Sequence, residues 1–149
     1  MSNGSITLAD IRSADWSLAL DPQGLPGSGI GNIVQGLADV NQCIQIILTT
    51  PKGSDPLRPT FGADVWRYID APINTAIPAI VREVTEAILR WEPRVTLVSI
   101  KAVPVLGGDV QAGAHLTIAV TWRLKLVTRG ARTSAFAQPQ SVLVTIPVP

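Results

Sequence analysis

Near residues 90–98 the chain changes its hydrophobic period. Upstream, Ile77, Ile80, Val81, Val84, Ile88 and Trp91 recur at helical spacing; downstream, Leu116, Ile118, Val120, Trp122, Leu124 and Leu126 alternate with His115, Thr117, Ala119, Thr121, Arg123 and Lys125. A period of 3.6 lines one stripe of a helix and a period of 2 lines one face of a strand, so neither segment can adopt the other's geometry. An α+β fold follows: an N-terminal arm, then two to three helices packed on a small antiparallel β-sheet built around a C-terminal hairpin. The joint itself reads RWEPRVTLV. Glu92 stands at the negative end of the helix macrodipole, which costs a few tenths to about 1 kcal/mol unless a cation answers it. Glu92 needs a partner.

The helix before the joint is expected from Pro78 to Trp91, with proline at its first position, where the missing N–H costs nothing. Its charges, Arg82, Glu86 and Arg90, are spaced as i,i+4 surface pairs, and Glu83 is placed on the solvated face. An earlier helix is expected from Asp39, which with Gln42 forms a loose capping box ahead of Val40, Cys43, Ile44, Ile47 and Leu48 on one face. It should stop at Thr49-Thr50-Pro51. PKGSDPLRP then holds three prolines and a glycine in nine residues, which predicts a rigid, exposed loop. FGADVWRYIDAP supplies one or two helical turns, with Val65, Trp66 and Ile69 clustered and a stop at Asp70-Ala71-Pro72. Trp66 and Tyr68 are expected as lids on the core.

Strands complete the picture. Val95 to Val103 should pair with the long strand from His115, with LGGDVQAG as the hairpin connection. SVLVTIPVP gives a last short strand, an edge or an arm, closed by prolines. At the other end Trp16, Leu18 and Leu20 alternate as a short strand before DPQGLPGSGIG, a neck of glycines and prolines.

Composition excludes several function classes. Of 149 residues only 15% are charged and the net charge is +1, far from the basic surface that collects nucleic-acid phosphates. No apolar run reaches the roughly 18 residues of a membrane span, and the first residues lack a signal-peptide core, so synthesis in the cytoplasm is expected. With 46% hydrophobic residues, the apolar excess is best explained by surface buried against other subunits. GSGIGN lacks the lysine and Ser/Thr of a phosphate-binding loop. Cys43, the single cysteine, reads as core packing rather than a nucleophile, and His115 as an exposed strand residue, because no second histidine or cysteine cluster can complete a metal site. No catalytic, cofactor or metal site is expected.

NQCIQIILTTPKGSDPLRPTFGADVWRYIDAP, followed by a helix ending in RWEPRV and a hairpin, resembles the sheath-initiator family of baseplate wedge proteins from contractile phage tails, which includes a type VI secretion baseplate component. The resemblance covers Asp39 to Leu126 and rests on three motifs in family order, ILTTPKGSDPLRPTFG, YIDAP and WEPR. With the Gly/Pro-rich punctuation on either side, the expected division is an arm and neck at 1–31, the wedge domain at 32–127 and a C-terminal extension at 128–149. The resemblance implies assembly rather than catalysis. Family members resemble the inner domain of the tail-sheath protein, and their hairpin accepts extended arms of the first sheath ring, six copies encircling the tube. The expected location is the virion's tail baseplate, and the expected partners are the tail-sheath protein and other wedge subunits, with the tube or hub as a further neighbour. The family's EPR signature, which contacts a bundle of neighbouring wedge subunits, falls on Glu92, Pro93 and Arg94. Val95, Leu97, Thr117, Thr121, Val142 and Val144 are the sheath-contact candidates.

The joint thus has two readings: Arg94 answers Glu92 locally, or Pro93 fixes a corner from which both charges meet a neighbouring subunit. A different class, a peptidoglycan-degrading lysozyme-like enzyme, requires two carboxylates roughly 5–9.5 Å apart across a cleft, one of them kept protonated. Asp64, Asp70, Glu83, Glu86 and Glu92 are the available acids. Solvated helix positions, a turn and a neighbouring arginine all suit charged carboxylates instead. A sheath subunit is disfavoured by the chain's size, and a sheath or tube subunit alike by the WEPR motif.

Overall fold

The computed structural model describes residues 15–20, 33–68, 70–105, 115–125 and 138–147. Two compact units divide the chain, Met1–Cys43 and Ile44–Pro149. No helix among the described residues is long and apolar enough to cross a membrane.

In the first unit β1 (Trp16–Leu18) pairs antiparallel with β2 (Ile33–Gln35), Ser17 opposite Val34. The neck between them lies outside the described residues. Gly36, at φ +60, turns the chain from β2 into α1 (Leu37–Thr49), a backbone conformation that glycine adopts without strain. α1 therefore begins two residues before Asp39, which lies inside the first turn rather than at the expected cap position. Gln42 holds β1 instead: its Oε1 accepts from Leu20 N (2.8 Å), and its Nε2 donates to Ser17 Oγ (2.8 Å) and Leu18 O (2.7 Å). The helix buries Val40, Ile44, Ile47 and Leu48, while Cys43 is half-buried.

The second unit carries the sheet. After α1 the loop 51–64 contains only turns, and a 3-10 helix spans Val65–Tyr68, with Val65 buried and Trp66 and Tyr68 half-buried. α2 (Ile73–Trp91) starts five residues earlier than expected. Pro72, not Pro78, stands at its entrance: the Pro72 carbonyl accepts the amides of Thr75 and Ala76 (both 2.9 Å) and the Thr75 hydroxyl (2.8 Å). A single proline thus ends one segment and opens the next. Pro78 lies inside the helix, and because it and Asn74 are both exposed, the carbonyl it leaves unpaired can be hydrated. Ile80, Val84 and Ile88 are fully buried, each stabilising the fold by roughly 1.5–3 kcal/mol relative to exposure.

β3 (Val95–Val105), β4 (His115–Leu124) and β5 (Gln140–Pro147) form an antiparallel sheet in the order β3-β4-β5. The hairpin expected between β3 and β4 is present, its connection outside the described residues, and the final strand joins β4 on the other side. Leu116, Ile118, Val120 and Trp122 of β4 are buried together with Ala102 and Val95 of β3 and Val142, Val144 and Ile146 of β5. Leu97 lies opposite Trp122 and Ser99 opposite Thr121, so Val98 is an extra residue, a β-bulge, and is exposed. α2 lies against β3. The opposite face, with Val103, Lys101, Ser99, Arg123, Ser141, Leu143 and Thr145, is exposed.

Candidate assembly site

At the joint between α2 and β3 the backbone turns in three residues. Glu92 leaves the helix at φ −124, ψ 75, its amide still bonded to Ile88 O (2.8 Å). Pro93 disfavours the α region for its predecessor, in keeping with the extended backbone of Glu92. Arg94 then enters the sheet, its carbonyl accepting Lys125 N (2.7 Å). Its guanidinium grips Glu92 with two parallel bonds, Nε to Oε1 (2.6 Å) and a terminal nitrogen to Oε2 (2.7 Å). Glu92 is only 3% exposed, so a charge-assisted fork of this kind offsets the desolvation of its carboxylate. The local answer to Glu92 is present, and Pro93 and part of Arg94 remain at the surface.

A second buried carboxylate was not legible in the sequence. Glu83, placed on the solvated face of α2, is buried at 8% exposure and paired with Lys52 of the loop, and its Oε1 also accepts Asp64 N (3.2 Å). Burial raises its pKa, but the hydrogen bonds from Lys52 and the Asp64 amide, with the charges of Lys52 and Arg82, outweigh it and hold the carboxyl below its usual range. One signal pointed there: Ala76, Ile80 and Ala87 share a helical row with Glu83, and all three are buried.

The loop is tied down elsewhere too. Trp91 Nε1 donates to Thr60 O (3.0 Å), Phe61 meets the Trp91 ring edge-on at 5.2 Å, and Arg58 lies 4.7 Å from the Phe61 ring centre. Ala63 N donates to Thr50 O (3.0 Å), and Gly62, at φ +96, comes so close that a Cβ would collide with that carbonyl. Tertiary anchors as well as prolines therefore hold the end of this loop.

The sheath-contact candidates divide by face. Val95, Val142 and Val144 are buried, so at these positions main chain is what a partner can reach, and Leu97 is half-buried. Thr117 and Thr121 lie half-buried on the open face of the central strand. Among the described residues β3 and β5 each have one unpaired side, so the last strand is an edge and β3 is the other.

The acids weighed for glycan cleavage are dispersed in role. Glu83 and Glu92 are each held by a cation, Asp64 is half-buried, and Asp70 and Glu86 are exposed. Glu86 borders a cavity of about 160 Å³ with Lys52, Arg90 and Trp91, smaller than the ~300–1,000 Å³ of most small-molecule sites. No group of three or more His, Cys, Asp or Glu among the described residues could hold a metal ion.

Residues 34–128 match the family described as baseplate wedge protein gp25. This chain belongs to that family. Over 71 residues it is 38% identical to baseplate protein W of Escherichia phage P2, an alignment covering 47% of this chain and 62% of that relative, just under two thirds of its length. Among solved structures, a Geobacter sulfurreducens protein provisionally named a tail lysozyme has a TM-score of 0.58 at 28% identity, covering 74% of this chain and 89% of that one. A chain of the postcontracted pyocin R2 baseplate gives 0.53 at 28% identity, with 73% and 99% covered. A chain of the type VI secretion baseplate complex shares the fold, at TM-score 0.54 and 18% identity, with 74% and 91% covered. The gp25 family is one of baseplate wedge proteins.

Proposed function

We propose that this wedge protein nucleates sheath polymerisation by presenting its β-sheet to the first ring of tail-sheath subunits, while the Glu92-Pro93-Arg94 corner meets neighbouring wedge subunits. Six copies ring the tube within the virion's baseplate, which is assembled from chains made in the host cytoplasm. Residues 32–127 carry the wedge domain, 1–31 are the N-terminal arm and neck, and the extension 128–149 contributes β5. The observation that carries this reading is the sheet order: β4 is enclosed, and β3 and β5 each retain unpaired main-chain groups among the described residues. Such groups bind an added strand or become an aggregation hazard.

A cryo-electron map of the assembled tail tests it. The expected result is a sheath strand continuous with this sheet in each of six copies, with wedge subunits against the 92–94 corner. A first sheath ring seated on a different subunit would overturn the template reading.

A further inference from the structure

The two edges are not equivalent, and the difference assigns the receiving strand. Natural sheets discourage unwanted pairing at an edge with bulges, lysines and prolines. β3 has all three: the bulge at Val98, the exposed Lys101 and Pro104, which has no N–H to donate. β5 has none of them before its terminal Pro147. Its register with β4 is unbroken from Trp122 opposite Gln140 to His115 opposite Pro147, and QSVLVTI contains no charge.

We propose that β5 is the edge that takes the incoming strand and that β3 is closed to it. The inference rests on the template reading above and specifies where it acts and on what. The occupant is an uncharged extended segment of another protein, about six residues long, with aliphatic side chains at alternate positions. On the inner face it would lie beside Val142, Val144 and Ile146, all buried, where a charge would be stranded away from water. On the open face its central residue would lie beside Leu143, which is 65% exposed between Ser141 and Thr145, so an aliphatic neighbour there gains cover. In the reading above this segment is an arm of the sheath protein.

Amide hydrogen exchange on the full chain, with and without the tail-sheath protein of the same particle, tests the assignment. Alternate amides of β5 should gain at least tenfold protection while those of β3 stay unchanged. Protection on β3 instead would overturn the assignment and leave the template reading standing. Binding without protection on either strand would overturn both. Protection of β5 that appears when the chain alone is concentrated would mean that the occupant is a second copy. Two lysine variants on exposed side chains give an independent readout: Leu143→Lys should weaken sheath association at least tenfold, and Val103→Lys, 52% exposed on β3, by less than twofold. The reverse ranking would reject β5.

Discussion

Glu83 and Glu92 are both buried carboxylates of the same helix region, each with a cation, yet they are built on opposite principles. Glu92 is answered by Arg94, two residues on, within one rigid turn. Glu83 is answered by Lys52, thirty-one residues earlier, and by the amide of Asp64, so its charge closes a long loop onto the helix. A local pair fixes a corner; a distant pair fixes the fold around it. Loss of the distant pair should therefore release far more structure than loss of the local one.

The hardest blow to the distant anchor leaves Glu83 untouched. Gly62→Ala places a Cβ against the Thr50 carbonyl at a φ that disfavours alanine, and should cost about 3 kcal/mol or more in chemical denaturation. If the loss is below about 1 kcal/mol, the loop yields easily and the tie at Thr50 does not define it.

Glu83→Ala comes next. Removing one partner of a buried pair costs about 3–5 kcal/mol, and because Lys52 is about a third exposed we expect about 2–3 kcal/mol here. The same group sets a pH dependence. Its folded-state pKa lies below the ordinary value near 4.5, so its contribution is complete above about pH 4.5 and is lost as pH falls through the folded value. Between pH 5 and 3 the parent protein should lose more stability than Glu83→Gln. Equal slopes would mean that the Lys52 pair contributes nothing.

Arg94→Ala should cost a similar amount, about 2–3 kcal/mol, because Glu92 is buried and loses its fork, while truncating the part-exposed Arg94 lets some water reach the carboxylate. The domain should stay folded while wedge assembly, followed by co-purification of wedge subunits, is impaired. A loss of several kcal/mol with normal assembly would make the corner wholly internal. The smallest effect belongs to the open sheet face. Thr117→Ala or Thr121→Ala should change stability by under about 0.5 kcal/mol and leave sheath growth near normal, since strand addition draws on main chain.

The contrast between the carboxylates also explains what the sequence could reveal. WEPR carries its own partner within reach, so the question posed by Glu92 and one of its two answers were visible together. Alternation in β4 has no competing geometry, and the sheet around it was legible to within a few residues. Glu83 was not, because its environment is made by a loop whose position depends on Gly62, Trp91 and Thr60, contacts that no local spacing encodes. Gln42 failed similarly: its amide serves β1, some two dozen residues earlier, and not the helix start that Asp39 suggested. The start of α2 was missed for a different reason. Asp70-Ala71-Pro72 is a valid stop signal, and nothing in it says that the same proline also begins the next element.

Val98 adds a consequence for how this strand can vary among relatives. Val95 and Leu97 before it, and Ile100, Ala102 and Pro104 after it, lie opposite the inward row of β4, although the two groups differ in parity along the chain. The bulge is a phase slip in a two-beat rhythm. Losing Val98 alone would leave every later side chain on the face it already occupies, so a one-residue gap here in a relative's sequence is a smoothing of the wave, whereas the same gap at Ala102 would invert all that follows.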